Sequence, residues 1–293
     1  MVSLLGLGHM GTAIGERLLA AGQGLAVWNR TRAVADRFAE RGAGVLDRPA
    51  DAWTLGDVAI VMVADTAAVE SVVLGPDGLL SGDAAGRTIV DMSTISPERS
   101  AAIAACADKA GAAFLRAPVT GNPAVVAAGN LGIMISGPRA AYLHVAPLLR
   151  DIGPNHFYVG EGDEARVVKL AVNLVLAGTT ELLAEALVMG EQNGIDRRTM
   201  LEVIGGSAMG SPFVKYKTDA LVADDYESTF TARGMEKDVR LALQCANGAG
   251  VPLPVTALVQ QLLHGCIASG MGDIDFTALV PRLRREAGLD ARN

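Results

Sequence analysis

The chain has 293 residues, half of them apolar and 19% charged, which suits one large or two modest compact domains and excludes a disordered protein. The net charge of −7 and the absence of a basic stripe argue against nucleic acid or an anionic membrane as a partner. Three cysteines without CxxC spacing indicate neither a disulfide framework nor a zinc site, so we expect no metal and a cytoplasmic location. The opening MVSLLGLG lacks the basic and long apolar parts of a signal peptide.

Up to about residue 160, short apolar runs rich in β-branched residues alternate with alanine-rich helical stretches. The runs are VSLLG, GLAVWN, DVAIVMV, RTIVDMS, AAFLRAPV and LGIMISG. Because this alternation is typical of parallel strands joined by helices, it predicts an α/β domain with a doubly wound, mostly parallel sheet over residues 1–161.

A long helical pattern follows, from about residue 163 to residue 192, and Asn193-Gly194 can cap its end. We assign residues 162–193 to a long interdomain helix. Its apolar character on most faces predicts that other helices wrap it. Its asparagine and three glutamates would be costly inside a bilayer, which favours a core helix over a membrane span.

Further helical segments are predicted near 196–206, 211–222, 230–249, 255–269 and 275–287. Residues 194–293 are therefore expected to form an all-helical domain for substrate binding and dimerisation. The stretch LALQCANGAGVPLPVTALVQQLLHGCI is its most apolar part, which predicts a homodimer or tetramer. The alternative is that this stretch forms ordinary core within the domain.

A glycine-rich turn follows the first predicted strand. Gly6, Gly8 and Gly11 of LLGLGHMG have the GxGxxG spacing, and the helical stretch TAIGERLLAAG and a second strand follow in order. In this context the glycines permit a tight turn, close approach of backbone to a pyrophosphate and tight helix packing, with the helix N-terminus facing the phosphate. The turn therefore predicts a dinucleotide-binding Rossmann domain, with a glycine loop that only packs as the alternative. His9 is interpreted as a turn residue rather than a proton carrier.

The end of the second strand indicates which dinucleotide is bound. An acidic residue there would bind the ribose 2′-hydroxyl of NAD, whereas this chain reads Asn29-Arg30-Thr31-Arg32. Guanidinium groups and a hydroxyl suit a 2′-phosphate, because arginine offers a rigid fork of donors. This favours NADP (NADPH). The alternative is that both arginines belong to a solvated helix start.

A polar pair interrupts the most apolar part of the long helix, VVKLAVNLVLAG. Lys169 and Asn173 are four residues apart and so share one face of the helix. Withdrawing an ammonium from water without a partner is unfavourable, so this position suggests a functional role, although a lysine can also reach the surface with its long side chain. A lysine beside a carbonyl can stabilise negative charge on the oxygen and give it a proton.

The motifs together resemble one family across essentially the full chain. DMSTISPE (91–98) closes a strand, APVTG (117–121) follows another, KLAVN (169–173) is on the long helix and MEKD (235–238) is on a later one. With GLGHMG and NRT, these resemble the β-hydroxyacid dehydrogenase family. This family is 6-phosphogluconate dehydrogenase-like in fold and includes 3-hydroxyisobutyrate dehydrogenases and tartronate, glyoxylate or succinic semialdehyde reductases.

The resemblance implies an NADP-dependent oxidoreductase that transfers a hydride between nicotinamide and a small β-hydroxyacid or semialdehyde. Lys169 matches the catalytic lysine that acts as general acid or base, and the substrate is expected to bear a carboxylate. The implied substrate-binding residues are Thr120, Gly121, Asn173, Phe230 and Asp238. The implied cofactor-binding residues are Gly6, Leu7, Gly8, His9, Met10, Gly11, Asn29, Arg30, Thr31, Val63, Thr94 and Lys237.

This sequence departs from the family pattern near the implied carboxylate site. Members commonly read DAPVSGG, whereas this chain has Arg116 at the position of the aspartate, Thr120 for serine and Asn122-Pro123 after the glycine. Proline removes an amide donor and fixes the turn, so we expect the geometry of carboxylate binding to differ.

Two other functions stay open from the sequence. Imine reductases have a similar architecture and an NRT-like loop, but they generally carry aspartate or tyrosine at the position of Lys169. A non-catalytic NADP-binding module is the other alternative, and such proteins usually lack the lysine. Turnover of a cyclic imine alone would favour the first, and a Lys169→Ala variant with unchanged turnover would exclude the lysine mechanism.

Overall fold

The computed structural model describes residues 1–228 and 230–289. The chain divides into two compact units, Met1–Leu170 and a second unit that begins at Ala171. The boundary falls inside the long helix, whereas the sequence assigned residues 162–193 to a segment of their own. The three-part division stays a prediction.

The first unit contains a nine-stranded sheet. Its strands are β1 (Val2–Leu5), β2 (Leu25–Trp28), β3 (Gly44–Val45), β4 (Val58–Val61), β5 (Thr88–Asp91), β6 (Ala113–Arg116), β7 (Val119–Thr120), β8 (Gly132–Ser136) and β9 (Asn155–Gly160). The order is β3-β2-β1-β4-β5-β6-β8-β7, with β9 beside β8. The pairs from β3 to β6 are parallel, and β8 runs antiparallel to β6 and β7.

Helices connect these strands and cover both faces of the sheet. They are α1 (His9–Ala20), α2 (Arg32–Ala39), α3 (Thr66–Leu74), α4 (Pro97–Lys109), α5 (Pro123–Ala127) and α6 (Arg139–Ile152). Successive strand residues point to opposite faces, so Leu4 joins one apolar core and Leu5 the other. The parallel strands β1, β4 and β5 end at the same edge of the sheet, where the predicted cofactor residues follow.

The second unit is built from helices among its described residues. The long helix α7 (Glu164–Gln192) begins in the first unit and continues into this one. It is followed by α8 (Arg197–Gly206), α9 (Pro212–Val222), α10 (Ala232–Gly248), α11 (Pro254–Cys266) and α12 (Leu279–Glu286). Apolar side chains from these helices form a separate core. The predicted fold class, a mostly parallel Rossmann sheet followed by a helical domain, is confirmed.

The structure differs from the sequence prediction in two details. The strands β3, β7 and β9 were not predicted, because the first two have only two residues each and β9 has no buried face. Helix α7 exposes Val175, Leu182 and Met189, each more than 60% accessible, so the expectation that other helices wrap it is wrong for the single chain.

Helix α7 is also long and apolar enough, by length and composition alone, to cross a membrane. One third of its most apolar stretch is buried within the chain, and the core helix of a folded domain passes the same test. Its buried Asn173 and Thr180 are the polar groups that argue for a core helix.

Candidate active site

The glycine-rich turn between β1 and α1 is shaped by close backbone packing. Gly6 has φ +101°, and a Cβ there would lie 2.2 Å from the carbonyl oxygen of Met62. A Cβ on Gly11 would lie 2.0 Å from the carbonyl oxygen of Gly6. A Cβ on Gly8 would meet no atom within 4 Å, so open space adjoins the backbone at the start of α1. Two glycines are therefore required by the fold, and the third keeps a space that suits a phosphate.

The start of α1 has the properties of an anion-binding helix end. Gly8 is the N-cap and provides no side-chain cap, and the first turn contains no acidic residue. The amide groups and the helix dipole at such an end favour negative charge. His9 is the exposed first residue of the helix, and Met10 packs partly against the core. These features fit the pyrophosphate of a dinucleotide.

A single asparagine connects this turn to the end of β2. The Leu7 amide donates a hydrogen bond to Asn29 Oδ1 at 3.0 Å, and Asn29 Nδ2 donates to the Thr31 carbonyl at 3.1 Å. The exposed Arg30 lies between them in the chain, and Thr31 is the N-cap of α2. Asn29 thus connects the loop after β2, which the sequence predicts to select the cofactor, to the glycine-rich turn.

The two arginines after β2 differ in their surroundings. Arg32 pairs with Asp36 at 2.9 Å and also with Asp47, and hydrogen bonds to these carboxylates raise the pKa of its guanidinium. Its charge is therefore already compensated locally. Arg30 is therefore a stronger candidate than Arg32 for binding a 2′-phosphate. The sequence interpretation had offered both arginines for this role.

The ends of β4 and β5 are joined by the hydroxyl of Ser93. The Val63 amide donates to Ser93 Oγ at 3.0 Å, and the Ser93 amide donates to Asp91 Oδ1 at 2.9 Å. Thr94, the next residue, is partly buried. The predicted cofactor residues Val63 and Thr94 are therefore carried by two loops that are hydrogen-bonded to each other.

A buried arginine that the sequence analysis did not select contacts the same loop. Arg166, in the first turns of α7, donates to Asp91 Oδ2 at 2.6 Å and to the Ser93 carbonyl at 2.6 Å. It also donates to Ser100 Oγ at 3.2 Å. Burial lowers the pKa of Arg166, and the charge of Asp91 is the main opposing influence. The only signal in the sequence was its position three residues before Lys169, which gives the two side chains a shared helix face.

A second ion pair, between the buried Arg116 and the partly buried Asp163, anchors the segment just before α7. Arg116 at the end of β6 donates to both carboxylate oxygens of Asp163, through Nε and Nη2, at 2.9 Å each. This explains the departure at residue 116, because the arginine finds its carboxylate in the loop before α7. The partly buried Lys169 thus belongs to a helix whose start is fixed to two strand ends.

The expected carboxylate site lies at the end of β7. Thr120 is exposed, and Gly121 has φ +135°, a conformation that favours glycine. Asn122 Oδ1 accepts a hydrogen bond from the Val125 amide at 3.0 Å and so caps the short helix α5. Pro123 is the first residue of that helix, where an amide donor is not needed. The asparagine-proline departure is therefore a helix start.

In the second unit, three predicted residues contact one another. Asn173 Nδ2 donates to Asp238 Oδ2 at 2.6 Å, and both side chains are only 2% exposed. Lys237 Nζ lies 3.0 Å from Asp238 Oδ1, an ion-pair distance, although within the described chain this oxygen has no well-aligned hydrogen bond. The charge of the buried carboxylate is therefore compensated by a cation and an amide. Phe230 packs on Phe276 with ring centroids 5.5 Å apart, at the margin of the helical core.

The predicted residues fall into two sets. The first unit contains Lys169 and the predicted cofactor residues from Gly6 to Thr94, together with Thr120 and Gly121. The second contains Asn173, Phe230, Lys237 and Asp238. Within residues 1–228 and 230–289, no group of three or more His, Cys, Asp or Glu side chains is arranged to hold a metal ion.

Comparisons with known proteins agree with this architecture. Residues 1–160 match the family model for the NAD binding domain of 6-phosphogluconate dehydrogenase. Residues 163–283 match the model described as NAD-binding of NADP-dependent 3-hydroxyisobutyrate dehydrogenase.

Individual proteins and solved structures match this chain over nearly their full length. Glyoxylate/succinic semialdehyde reductase 1 of Arabidopsis thaliana is 31% identical, covering 97% of this chain and 98% of that protein. The crystal structure of 3-hydroxyisobutyrate dehydrogenase from Salmonella typhimurium is 25% identical with a TM-score of 0.87, covering 96% of this chain and 98% of that one. A structure named Psf3, in complex with NADP+ and 2-OPP, is 26% identical with a TM-score of 0.89, covering 97% and 100%. The chain therefore belongs to the β-hydroxyacid dehydrogenase family of NAD(P)-dependent oxidoreductases.

Proposed function

We propose that this protein is an NADP-dependent dehydrogenase or reductase that acts on a small β-hydroxyacid or its semialdehyde, with Lys169 as general acid and base. The observation that carries the proposal is the position of Lys169 on α7. Three residues earlier, Arg166 binds the Ser93 carbonyl, and Thr94 directly follows Ser93. Lys169, to which the family resemblance assigns proton transfer, is thus on a helix that is hydrogen-bonded to the loop after β5. That loop carries Thr94, a predicted nicotinamide contact.

The residues of this chain would divide the chemistry in a simple way. A bound nicotinamide cofactor supplies or accepts the hydride. As a carbonyl is reduced, negative charge develops on its oxygen, and the Lys169 ammonium stabilises that charge and gives up a proton to the oxygen. In the direction of oxidation, the neutral Lys169 amine takes the proton from the hydroxyl.

Two further groups would orient a substrate that bears a carboxylate. The exposed Thr120 hydroxyl and the Gly121 amide at the end of β7 are suitable donors for carboxylate oxygens. The helix cap by Asn122 holds the turn that contains them. We propose that Asn173 and Asp238 contact the rest of the substrate and that Phe230 forms one wall of its pocket.

NADP is the proposed cofactor. The exposed Arg30 follows β2, where NAD-selective members of this fold carry an acidic residue. The described partners of Arg32 are carboxylates, which leaves Arg30 as the main cation for a 2′-phosphate. The NADP+ complex of the similar Psf3 structure supports the same choice.

A substrate panel tests the proposed function directly. Initial rates with NADPH are measured for succinic semialdehyde, glyoxylate and a cyclic imine under identical conditions. We expect turnover of at least one of the two carboxylate-bearing aldehydes and little or none of the imine. Turnover of the imine alone would contradict the proposal and favour an imine reductase, and tight NADPH binding without any turnover would favour a non-catalytic module.

We also propose a homodimer, or a tetramer built from it, formed through the helical unit. Helices α7 and α11 expose Val175, Leu182, Val255 and Leu258, all of them at least 59% accessible. These side chains lie on or beside one apolar groove, and such contiguous apolar surface marks interfaces. Sedimentation should give a species of at least twice 30.2 kDa that Leu182→Glu dissociates. A wild-type monomer at micromolar concentration would contradict this proposal.

A further inference from the structure

The first turns of α7 contain a fully buried cation that no proposed chemical step uses. Arg166 is 1% exposed and has partners on three sides: the Asp91 carboxylate, the Ser93 carbonyl and the Ser100 hydroxyl. Arg166 Nε donates to the serine, and its two terminal nitrogens donate to the other partners. All of these residues belong to the same compact unit as Lys169.

A buried ion pair is an unusual way to pack an apolar helix. The desolvation of two charges offsets much of their attraction, and an apolar side chain of similar volume often gives equal or better stability. What an arginine provides is geometry, because its planar fork fixes the directions of several hydrogen bonds at once. Stability alone therefore does not account for Arg166, whereas a requirement for position does.

The partners of Arg166 form a continuous connection from the sheet edge to Lys169. Asp91 ends β5, and Ser93 binds the Val63 amide at the end of β4. Arg166 binds both Asp91 and Ser93, and Lys169 follows one helical turn later. The loops that carry the predicted cofactor contacts and the helix that carries the proposed proton donor are thus joined through one guanidinium.

A second pair reinforces the same end of the helix. Arg116 and Asp163 fix the residue just before α7 to β6. With Arg166 and Asp91, they form a set of two cations and two anions whose formal charges cancel, and in this set Asp163 is the one partly exposed member. Because the set is neutral, it can fix the helix without adding net charge near Lys169.

We propose that Arg166 is a positioning residue that sets the distance between the Lys169 amine and the loop after β5, and this inference rests on the proposed role of Lys169 in proton transfer. Arg166 contacts neither substrate nor cofactor in this account. Its effect is on the reacting geometry, where a displacement of about 1 Å can cost on the order of 100-fold in rate.

The test compares Arg166→Lys with the wild-type enzyme. Lysine keeps the charge but cannot reproduce the fork, so we expect kcat to fall roughly 10- to 100-fold. The KM for NADPH should stay within about 2-fold, because the glycine-rich turn is untouched. The primary isotope effect on kcat, measured with NADPH deuterated at the transferred hydrogen, should increase as the chemical step becomes slower than product release.

The double variant Arg166→Met with Asp91→Asn separates positioning from stability. It replaces the buried ion pair by neutral groups and leaves no unpaired charge, so its Tm should be close to that of the wild type. Its kcat should stay as low as that of Arg166→Lys. A kcat that recovers together with Tm, or an Arg166→Lys variant with wild-type kcat and isotope effect, would overturn the inference.

Arg197→Lys is the matched control. Arg197 is also a buried arginine, and it pairs with Glu191 and Asp224 in the helical unit. Its replacement should lower Tm and leave the isotope effect unchanged. A Lys169→Ala variant made alongside distinguishes the two proposals: if it keeps full turnover, the proposed function fails. If it loses turnover while both Arg166 variants keep theirs, only the positioning role fails.

Discussion

The glycine-rich turn after β1 and the first turns of α7 belong to the same compact unit but differ in how their residues are used. In the turn, side chains are absent, and the backbone of Gly8 faces open space. In α7, long charged side chains are buried, and Arg166 reaches partners more than 65 residues away in the chain. The comparison teaches that a site formed by backbone groups can be recognised from a few adjacent residues. A site formed by buried side chains depends on partners that are distant in the sequence.

Buried charges within α7 differ among themselves as well. Arg166 has a carboxylate at 2.6 Å and two further acceptors. Glu181, four turns later, is partly buried, and burial followed by the charge of Glu185 raises its pKa to about 7. The helix thus contains one buried charge with a carboxylate partner and one whose strongest charged influence has the same sign.

The largest expected effect comes from the turn. Gly11→Ala would push a methyl group against the Gly6 carbonyl, so we expect the variant to unfold or to lose NADPH binding altogether. Gly8→Ala is the matched control for the fold, because its methyl group meets no protein atom. Its Tm should equal that of the wild type, while its Kd for NADPH, measured by fluorescence titration, should rise by roughly 10-fold or more because the phosphate space is filled. Unchanged binding by Gly8→Ala would break the comparison.

A smaller effect is expected at the end of β2. Arg30→Ala should raise the KM for NADPH by about 10- to 100-fold and leave the KM for NADH nearly unchanged, because one charged hydrogen-bonding partner of the 2′-phosphate is removed. Arg32→Ala should have a weaker effect, since Asp36 and Asp47 already hold that guanidinium. Equal changes for both cofactors in steady-state kinetics would remove the assignment of NADP.

The smallest effect concerns stability and Glu181, whose pKa is raised by burial and by the charge of Glu185. With a pKa of about 7 in the folded chain and a lower ordinary value when unfolded, the folded state binds more protons between about pH 4.5 and 7. Stability is therefore lost as the pH rises through this range. Glu181→Gln should have a Tm on the order of 2–4 °C above the wild type at pH 8, and the difference should shrink at pH 5. A Tm difference between the variant and the wild type that does not change with pH would mean that the pKa of Glu181 is not raised in the folded chain.

The sequence predicted the glycine-rich turn and the end of the long helix because each of these patterns is local. Gly6, Gly8 and Gly11 could be interpreted without knowing any partner, since the turn needs small residues whatever surrounds it. The long helix was predicted to end at 192 and does, because Asn193-Gly194 supplies a recognisable stop. The role of each predicted site residue stays a prediction.

The features that the sequence did not predict depend on distant partners or on short segments. From the sequence, Arg116 was only a departure from the aspartate of the family pattern. In the structure it binds Asp163, which lies 47 residues later in the chain. The partners of Arg166 could not be predicted, because Asp91 and Ser100 lie on β5 and α4, far from it in the sequence. The sequence did not predict that Pro123 starts α5, because this helix is too short to have a periodic pattern, and the expected difference in carboxylate geometry stays a prediction.

The measurement that tests the central claim most directly is the single-turnover rate of NADPH oxidation in Lys169→Ala, with the aldehyde that the panel identifies. Removing a general acid should slow this rate by roughly 100- to 10,000-fold while NADPH binding stays the same. Lys109→Ala, which removes an exposed lysine at the end of α4, should keep the wild-type rate. A Lys169→Ala rate within about 3-fold of the wild type would contradict the account, since general acid catalysis contributes far more than that.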